Sequence, residues 1–372
     1  MRKSKVIILT PSLTPFDAVG NDVRGMAAAL RNGGYEVEIV ADEIDRIYAG
    51  VGRLLDPGDS RHWNDSGATL IYHHAVAWPK GERLLEASQV RVVVRYHNIT
   101  PARFFSRYSE GHYRACKEGE ASTRRLARLP RAWFLGDSVF NCDELIRLGA
   151  PAARTAALAP IHATEELSRV PFDAPTLDRY KDGSANILFV GGLKPNKGYV
   201  RALRVLAEYR RWSNAPARFI FAGKVDPHLS NYREALEHET GKLGLAGHVV
   251  FTGAVTPSQL RSLYMLADAF LSVSEHEGFC VPLVEAMYFR LPIVAWGTTA
   301  VGETVGEAGL VWDHFDAGCL AESIHSVIED GRLARHLAAA GFQRYQANFR
   351  PGILSARLNS LLGRVARGEA LR

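Results

Sequence analysis

An apolar strand, a loop, a helix and a second apolar strand follow one another in this chain, and the pattern starts twice. The first start is Val6–Thr10, followed by a loop through Gly20, the helix text VRGMAAALRNGG and the strand text YEVEIVAD. Parallel neighbours need a crossover, so this run reads as a βαβ unit. Further strands are expected at Thr69–His73 and Val90–Tyr96. The second start is Asn186–Val190, NILFV, followed by GGLKPNKG and the helix YVRALRVLAEYRR. Strands ARFIFAG, HVVFTG, AFLSV and LPIVAW then alternate with helices around Tyr232–Leu243, over Pro257–Leu266 and in VPLVEAMYF. Near-continuous apolar strands suit a sheet covered on both faces. The expected fold class is α/β, with two Rossmann-like doubly wound domains. A length of 372 residues accommodates both.

Between the two starts, Pro160–Ser184 is polar, carries Pro160, Pro171 and Pro175, and shows no period, so it reads as an interdomain linker. The domains are expected at 1–165 and 185–344. The last thirty residues or so read as helical, with a break at Arg350-Pro351-Gly352. The opening MRKSKVIILTPSLTP has a basic end, but its apolar run is only VIILT and no small-residue cleavage site follows, so it reads as a strand. No apolar run is long enough to span a bilayer. The four cysteines, Cys116, Cys142, Cys280 and Cys319, stand far apart, without zinc or redox spacing, and suit a reducing cytoplasm.

Charge is unevenly placed. The total is +5, yet residues 91–131 hold ten Arg/Lys and three Glu, and residues 332–372 hold eight Arg and one Glu. Each stretch carries +7, so the remainder carries −9. Localised positive charge points to an anionic partner.

The segment richest in chemistry is Ser274–Met287, SEHEGFCVPLVEAM. Pro282 suits the first turn of a helix, where its missing N–H costs nothing. Glu277 then precedes the helix and Glu285 lies one turn inside it. Gly278, Phe279, Cys280 and Val281 place backbone N–H groups at the helix start, which suits a phosphate or sugar hydroxyls. Carboxylates there accept hydrogen bonds from sugar hydroxyls. The plainer alternative is that both glutamates complement the helix dipole.

This segment resembles the E-x7-E signature of retaining glycosyltransferases of family 4. The neighbouring text agrees in order: ILFVGGLKPNKG, FIFAG, VVFTGAVTPSQLRSLYMLADAFLSV, LPIVAW and AVGETVGEAGLVWD. The close resemblance covers about Asn186–Asp313, and the N-terminal half is similar only loosely. It implies the GT-B fold, two facing Rossmann-like domains with the donor cleft between them, and a C-terminal helix, 345–372, that returns to the first domain. It also implies that Glu277 and the amides of Gly278, Phe279, Cys280 and Val281 hold the donor sugar and phosphate, and that Glu285 holds the ribose. The family commonly has glycine where Cys280 stands. Lys197 and Gly198 match its phosphate loop, but Gly192 stands at the place of its arginine, so the expected substitute is Lys194 or a cation from the other domain. Alone, Lys197 reads as a solvated loop lysine.

In the N-terminal half, Gly20 is expected in the loop between strand and helix and resembles a family glycine that lets the backbone approach the donor phosphate. An ordinary turn glycine is the alternative. His97, in VRYHNITP, resembles the family histidine that reaches the donor sugar across the cleft. His73 and His74 end another strand and are expected at the same edge. Ser138 and Asn141 read as structural.

The implied reaction is retaining transfer from a UDP- or GDP-linked sugar to a hydroxyl of a glycan or lipid-linked glycan. Lys197, Glu277 and His97 are the expected catalytic residues. No cofactor is expected, and no Asp-x-Asp doublet suggests a metal. No side chain stands out as a nucleophile, which favours front-face attack. Arg103, Arg107, Arg114, Lys117, Arg124, Arg125 and Arg128, interleaved with Phe104, Phe105 and Tyr108, are expected to share one domain with Arg357, Arg364 and Arg367. That face would suit an anionic membrane and a polyprenyl-diphosphate-linked acceptor, with the protein in the cytoplasm, peripheral at the inner face of the membrane. The alternatives are a GT-B epimerase or phosphorylase, or a nucleic-acid-binding protein. Neither first loop is G-x-G-x-x-G, which argues against a nicotinamide enzyme.

Overall fold

The computed structural model describes residues 4–15, 17–56, 59, 67–213 and 215–371. It divides into two compact units.

The first unit is built on strands β1 (Lys5–Leu13), β2 (Glu36–Ile44), β3 (Arg53–Leu54), β4 (Thr69–His74), β5 (Arg91–Tyr96), β6 (Trp133–Gly136) and β7 (Thr155–Ala157). All pair in parallel, in the order β3-β2-β1-β4-β5-β6-β7. Its helices include α1 (Ala18–Asn32), α2 (Pro79–Ala87), α3 (Glu110–Leu126) and α4 (Val139–Leu148). Helix α1 starts where Asp17 accepts from the Gly20 N–H and buries Val23, Met26 and Leu30. Gly33 and Gly34 end it, with Gly34 at φ +88°. Ser138 caps α4 by accepting from the Asn141 N–H.

The second unit carries α5 (Thr164–Leu167), α6 (Ala174–Tyr180), β8 (Ala185–Val190), α7 (Tyr199–Trp212), β9 (Ala217–Ala222), α8 (Ser230–Lys242), β10 (Val249–Gly253), α9 (Pro257–Leu266), β11 (Ala269–Ser272), α10 (Val281–Tyr288), β12 (Ile293–Trp296), α11 (Val301–Val305), β13 (Gly309–Trp312), α12 (Ala317–Glu329) and α13 (Gly331–Asn348). Its sheet runs β10-β9-β8-β11-β12-β13, again with every pair parallel. A final helix, α14 (Pro351–Arg367), belongs to the first unit. It buries Leu354, Leu358, Leu362 and Val365 at helical spacing, and Asn359 donates to the Ala29 carbonyl of α1.

The supposed linker is a packed segment. From Thr164 onward the chain groups with the second unit. Asp173 caps α6 through the Thr176 N–H, its own N–H donates to Ser262 Oγ of α9, and Tyr180 is buried. Contacts with α9 supply the apolar surroundings that the local sequence does not advertise. Strands β3, β6, β7 and β13 were not expected from the sequence; β3 and β7 are only two and three residues long. Among the described residues, no helix is long and apolar enough to cross a membrane.

Candidate functional site

In an open parallel sheet, ligands gather beyond the carboxyl ends of the strands where the strand order reverses. In the second unit that point lies between β8 and β11. The loop after β8 carries Lys197, and the loop after β11 carries Glu277. The two loops are pressed together at Gly198, which has φ +77°. A Cβ there would lie 2.0 Å from the Val273 carbonyl oxygen. Gly223 does the same beneath, where a Cβ would lie 1.8 Å from the Gly191 oxygen.

That contact brings the predicted charges together. Lys197 Nζ donates to Glu277 Oε1 at 2.7 Å, and Ser274 Oγ donates to the same oxygen at 2.8 Å. The Lys197 and Glu277 side chains are 20% and 9% exposed. Desolvation works against the Lys197 charge, but the Glu277 carboxylate outweighs it and raises the ammonium pKa. The backbone is held as firmly. The Glu277 N–H donates to Thr299 Oγ1 at 2.9 Å. Asn196 accepts from the Glu275 N–H at 2.8 Å and donates to the His276 carbonyl at 3.1 Å. Two residues around the carboxylate adopt left-handed backbone angles without being glycine, Cys280 at φ +74° and Thr299 at φ +50°. Such strain persists only where surrounding contacts over-determine it.

Helix α10 begins at Val281 with Pro282 in its first turn. Phe279 is buried, and its carbonyl accepts from Thr304 Oγ1 at 2.8 Å. Gly278 stands between Glu277 and Phe279. Burial pushes the Cys280 thiol up, the Glu277 carboxylate adds to this and Lys197 opposes it. Glu285 stands apart from the pair: Tyr264 of α9 donates to its Oε2 at 2.7 Å. Burial raises the Glu285 pKa, against the lowering effect of that hydrogen bond. Lys194 is exposed, and its Cε lies 4.0 Å from where a Gly192 Cβ would stand. Its side chain therefore runs beside the position where an arginine was expected. Asn196, Tyr264 and Thr299 were not foreseen, since they come from elements distant in sequence, whereas Ser274 belongs to the segment already singled out.

The first unit corrects one expectation and sharpens another. Gly20 is not in a loop but in the first turn of α1, and its N–H is taken by Asp17 Oδ2 at 3.0 Å. What requires glycine is the Thr14 carbonyl oxygen, 2.6 Å from a Cβ at that position. His73 and His74 end β4 and His97 follows β5 at the same sheet edge, but their side chains do not form one group. Successive strand residues face opposite sides, so His73 and His74 diverge. His74 Nε2 meets Thr123 Oγ1 at 2.8 Å, and Thr123 Oγ1 also reaches the Gly119 carbonyl. His73 Nδ1 meets His97 Nε2 at 2.8 Å, and His97 Nδ1 meets Asp137 Oδ2 at 3.1 Å. Both His97 nitrogens are thus engaged.

Beside them lies a buried ion network. Arg95, fully buried, pairs with Asp22 Oδ2 at 2.8 Å and with Asp137 Oδ1 at 2.7 Å. It also donates to the Leu158 carbonyl at 2.8 Å. Asp22 Oδ1 accepts from the Ile161 N–H at 2.7 Å. Desolvation opposes the Asp22 charge, but Arg95 and the histidines hold its pKa below the ordinary value. Asp22, His73 and His97 are close enough to share a cation, yet Arg95 already supplies the positive charge at Asp22. An arginine inside the apolar run VRVVVRYH was the signal available for this network.

Arg114, Lys117, Arg124, Arg125 and Arg128 share the first unit with Arg357, Arg364 and Arg367, as expected, but Arg103 and Arg107 do not. Arg103–Tyr113 groups with the second unit, as do the residues bearing Arg332, Arg335 and Arg344. The two +7 stretches are therefore split between units. Of the interleaved aromatics, Phe105 is buried, Phe104 is half-buried, and Tyr108 meets Tyr232 edge-on at 4.9 Å.

Residues 179–344 match the profile of the family described as glycosyl transferases group 1. The chain is similar to glycosyltransferases of the GT-B type. It is 29% identical over 212 residues to O-antigen chain mannosyltransferase B of Escherichia coli, covering 55% of this chain and 53% of that protein. The match thus spans about half the length of that relative. It is 25% identical to glycogen synthase of Mycobacterium tuberculosis, covering 89% of this chain and 87% of that one. Among solved structures, sucrose-phosphate synthase from Thermosynechococcus elongatus superposes with a TM-score of 0.76 at 16% identity, covering 99% of this chain and 100% of that one. Two parallel-sheet Rossmann-like folds of the GT-B class are common to both, and the family match and relatives together support a glycosyltransferase of that type.

Proposed function

We propose that the protein transfers a sugar from a nucleoside-diphosphate donor to a hydroxyl of a glycan or lipid-linked glycan, with retention of anomeric configuration. The observation that carries this is the buried Lys197–Glu277 pair at the switch point of the second sheet, beside the N-terminus of α10. A cation and a helix N-terminus together neutralise a departing diphosphate. Lys197 and Ser274 both use Glu277 Oε1, which leaves Oε2 to accept from donor sugar hydroxyls. Glu285 takes the ribose hydroxyls, with Tyr264 orienting it. In the first unit, His97 is the proposed catalytic residue.

The bond from the anomeric carbon to the phosphate oxygen breaks, and the acceptor oxygen bonds to that carbon on the same face. The acceptor proton passes to the departing phosphate oxygen. Because Lys197 and α10 address the diphosphate charge, the proposed reaction runs without a metal ion.

UDP and GDP are the proposed carriers. A structural neighbour was solved with UDP and UDP-glucose, and a relative of 28% identity is named for GDP-mannose. The exposed residues Arg114, Lys117, Arg124, Arg125 and Arg128, on and just after α3, are the proposed contact with an anionic membrane surface on the cytoplasmic side.

The test is a thermal-shift panel of UDP, GDP and ADP sugars, followed by turnover of the stabilising donor in excess chelator with NMR of the product anomer. A stabilising UDP or GDP sugar, activity in chelator and a retained anomer are expected. An inverted product would refute the mechanism.

A further inference from the structure

The segment Arg103–Tyr113 walls a cavity of about 200 Å³ with the loop after β8 and with α8. Tyr108 packs edge-on against the buried Tyr232, and His112 Nε2 meets Asp226 Oδ2 at 3.0 Å, so the segment is anchored at two points. Glu275, two residues before Glu277, closes the floor, and Gly198, next to Lys197, lines the side.

The charge balance of this cavity is one-sided. Glu275 is its one carboxylate, and it is already paired with Arg201 at 3.1 Å. Arg201 is in turn held over the Trp296 and Phe315 rings at 4.7 and 4.6 Å. Arg103 lies over the Phe104 ring at 4.8 Å, and both Arg103 and Arg107 are exposed. Among the described residues neither has a carboxylate partner. Two guanidinium groups without a counter-charge therefore meet a wall made of Phe104, Tyr108 and Tyr232. Guanidinium forks match oxyanions bidentately, and aromatic rings pack against the apolar face of a sugar ring. The volume is below the ~300–1,000 Å³ typical of cofactor-sized ligands, so it suits one ring rather than a nucleotide.

We propose that this cavity is a subsite for an anionic monosaccharide unit, a sugar bearing a phosphate or a carboxylate, in the acceptor. The inference rests on the transferase reading above, because it places the acceptor's charged ring beside the loops that carry Lys197 and Glu277.

The test is calorimetric titration with glucose 6-phosphate, glucuronate, neutral glucose and inorganic phosphate. It uses wild type and the double variant Arg103→Ser/Arg107→Ser. The two sugar anions should bind, with affinity falling as salt rises, and the double variant should weaken both by roughly tenfold or more. Binding that survives in the double variant, or inorganic phosphate binding as tightly as both sugar anions, overturns the subsite. A preference for one of the two anions identifies whether the charge is phosphate or carboxylate. The variant's melting temperature and its thermal shift with UDP or GDP are read alongside. An unchanged nucleotide shift with lost sugar-anion binding assigns the effect to this cavity. Absence of any nucleotide shift in wild type counts against the transferase reading, and absence of sugar-anion binding in wild type counts against the subsite.

Discussion

The carboxylate at position 277 is defined by what surrounds it. Its pair with Lys197 is largely buried, so removing one partner leaves a charge without compensation in a poorly solvated place. Lys197→Ala is expected to lower transfer at least a hundredfold, about 3 kcal/mol at the transition state. Steady-state rates on folded protein check this, and a value within tenfold of wild type would remove Lys197 from the site. The strain at Cys280 gives a second expectation. Its left-handed backbone tolerates glycine best and a β-branched residue worst. Cys280→Val should cost about 1–2 kcal/mol, read as a lower urea midpoint, whereas Cys280→Ser should cost less. Equal losses in the two variants would show that backbone strain is not what the position resists.

At the scale of elements, the site is a junction of two strand–loop–helix units. Gly198 ends the turn that carries Lys197 and starts α7. A Cβ there collides with main chain rather than with the end of a flexible side chain. Gly198→Ala should therefore push the two loops apart as well as strain the backbone. We expect a loss of about 2 kcal/mol or more in stability and a larger fractional loss in donor affinity than in acceptor affinity. Denaturation and separate titrations of the two substrates provide the measurement. The two glutamates and the Lys-Gly pair were picked out by resemblance to a family pattern, since their placement alone left the glutamates open to a helix-dipole role and Lys197 to that of a solvated loop lysine. The helices α5 and α6 were not legible, since their apolar partners come from α9.

Across the whole molecule, buried histidines set the response to acid. Burial holds His74 down to about 4 and His73 well below its ordinary value. His73 Nε2 is buried without a hydrogen-bond partner among the described residues. The unfolded chain protonates both near pH 6.5, and the folded chain does not. Stability is therefore full above that pH and falls between about 6.5 and 4, by about 2.7 kcal/mol per pH unit while both contribute. Asp22, whose folded pKa is depressed, adds a further loss as the pH falls below its unfolded value near 3.9. Urea midpoints measured across this window check the slope, and His74→Phe should reduce it by about half. An unchanged slope in that variant would mean that His74 is protonated in the folded state.

The sequence alone determined the two doubly wound units, the succession of their main strands along the chain, and the loop–helix that holds Glu277 and Glu285. These follow from apolar periodicity and from residues adjacent along the chain. Tertiary structure decided which groups meet. Lys197 and Glu277 lie eighty positions apart, and Arg95 reaches Asp22 across seventy-three. Thr299 supports Glu277 from the loop after β12. Strand alternation turned His74 away from His73, and packing drew Arg103–Tyr113 into the second unit, which divided the charge that the linear count had gathered. Local pattern specifies where a strand or helix forms, because backbone geometry repeats over a few residues. It carries no record of which loop ends adjoin, because that depends on crossovers and on close backbone approach at positions such as Gly198 and Gly223.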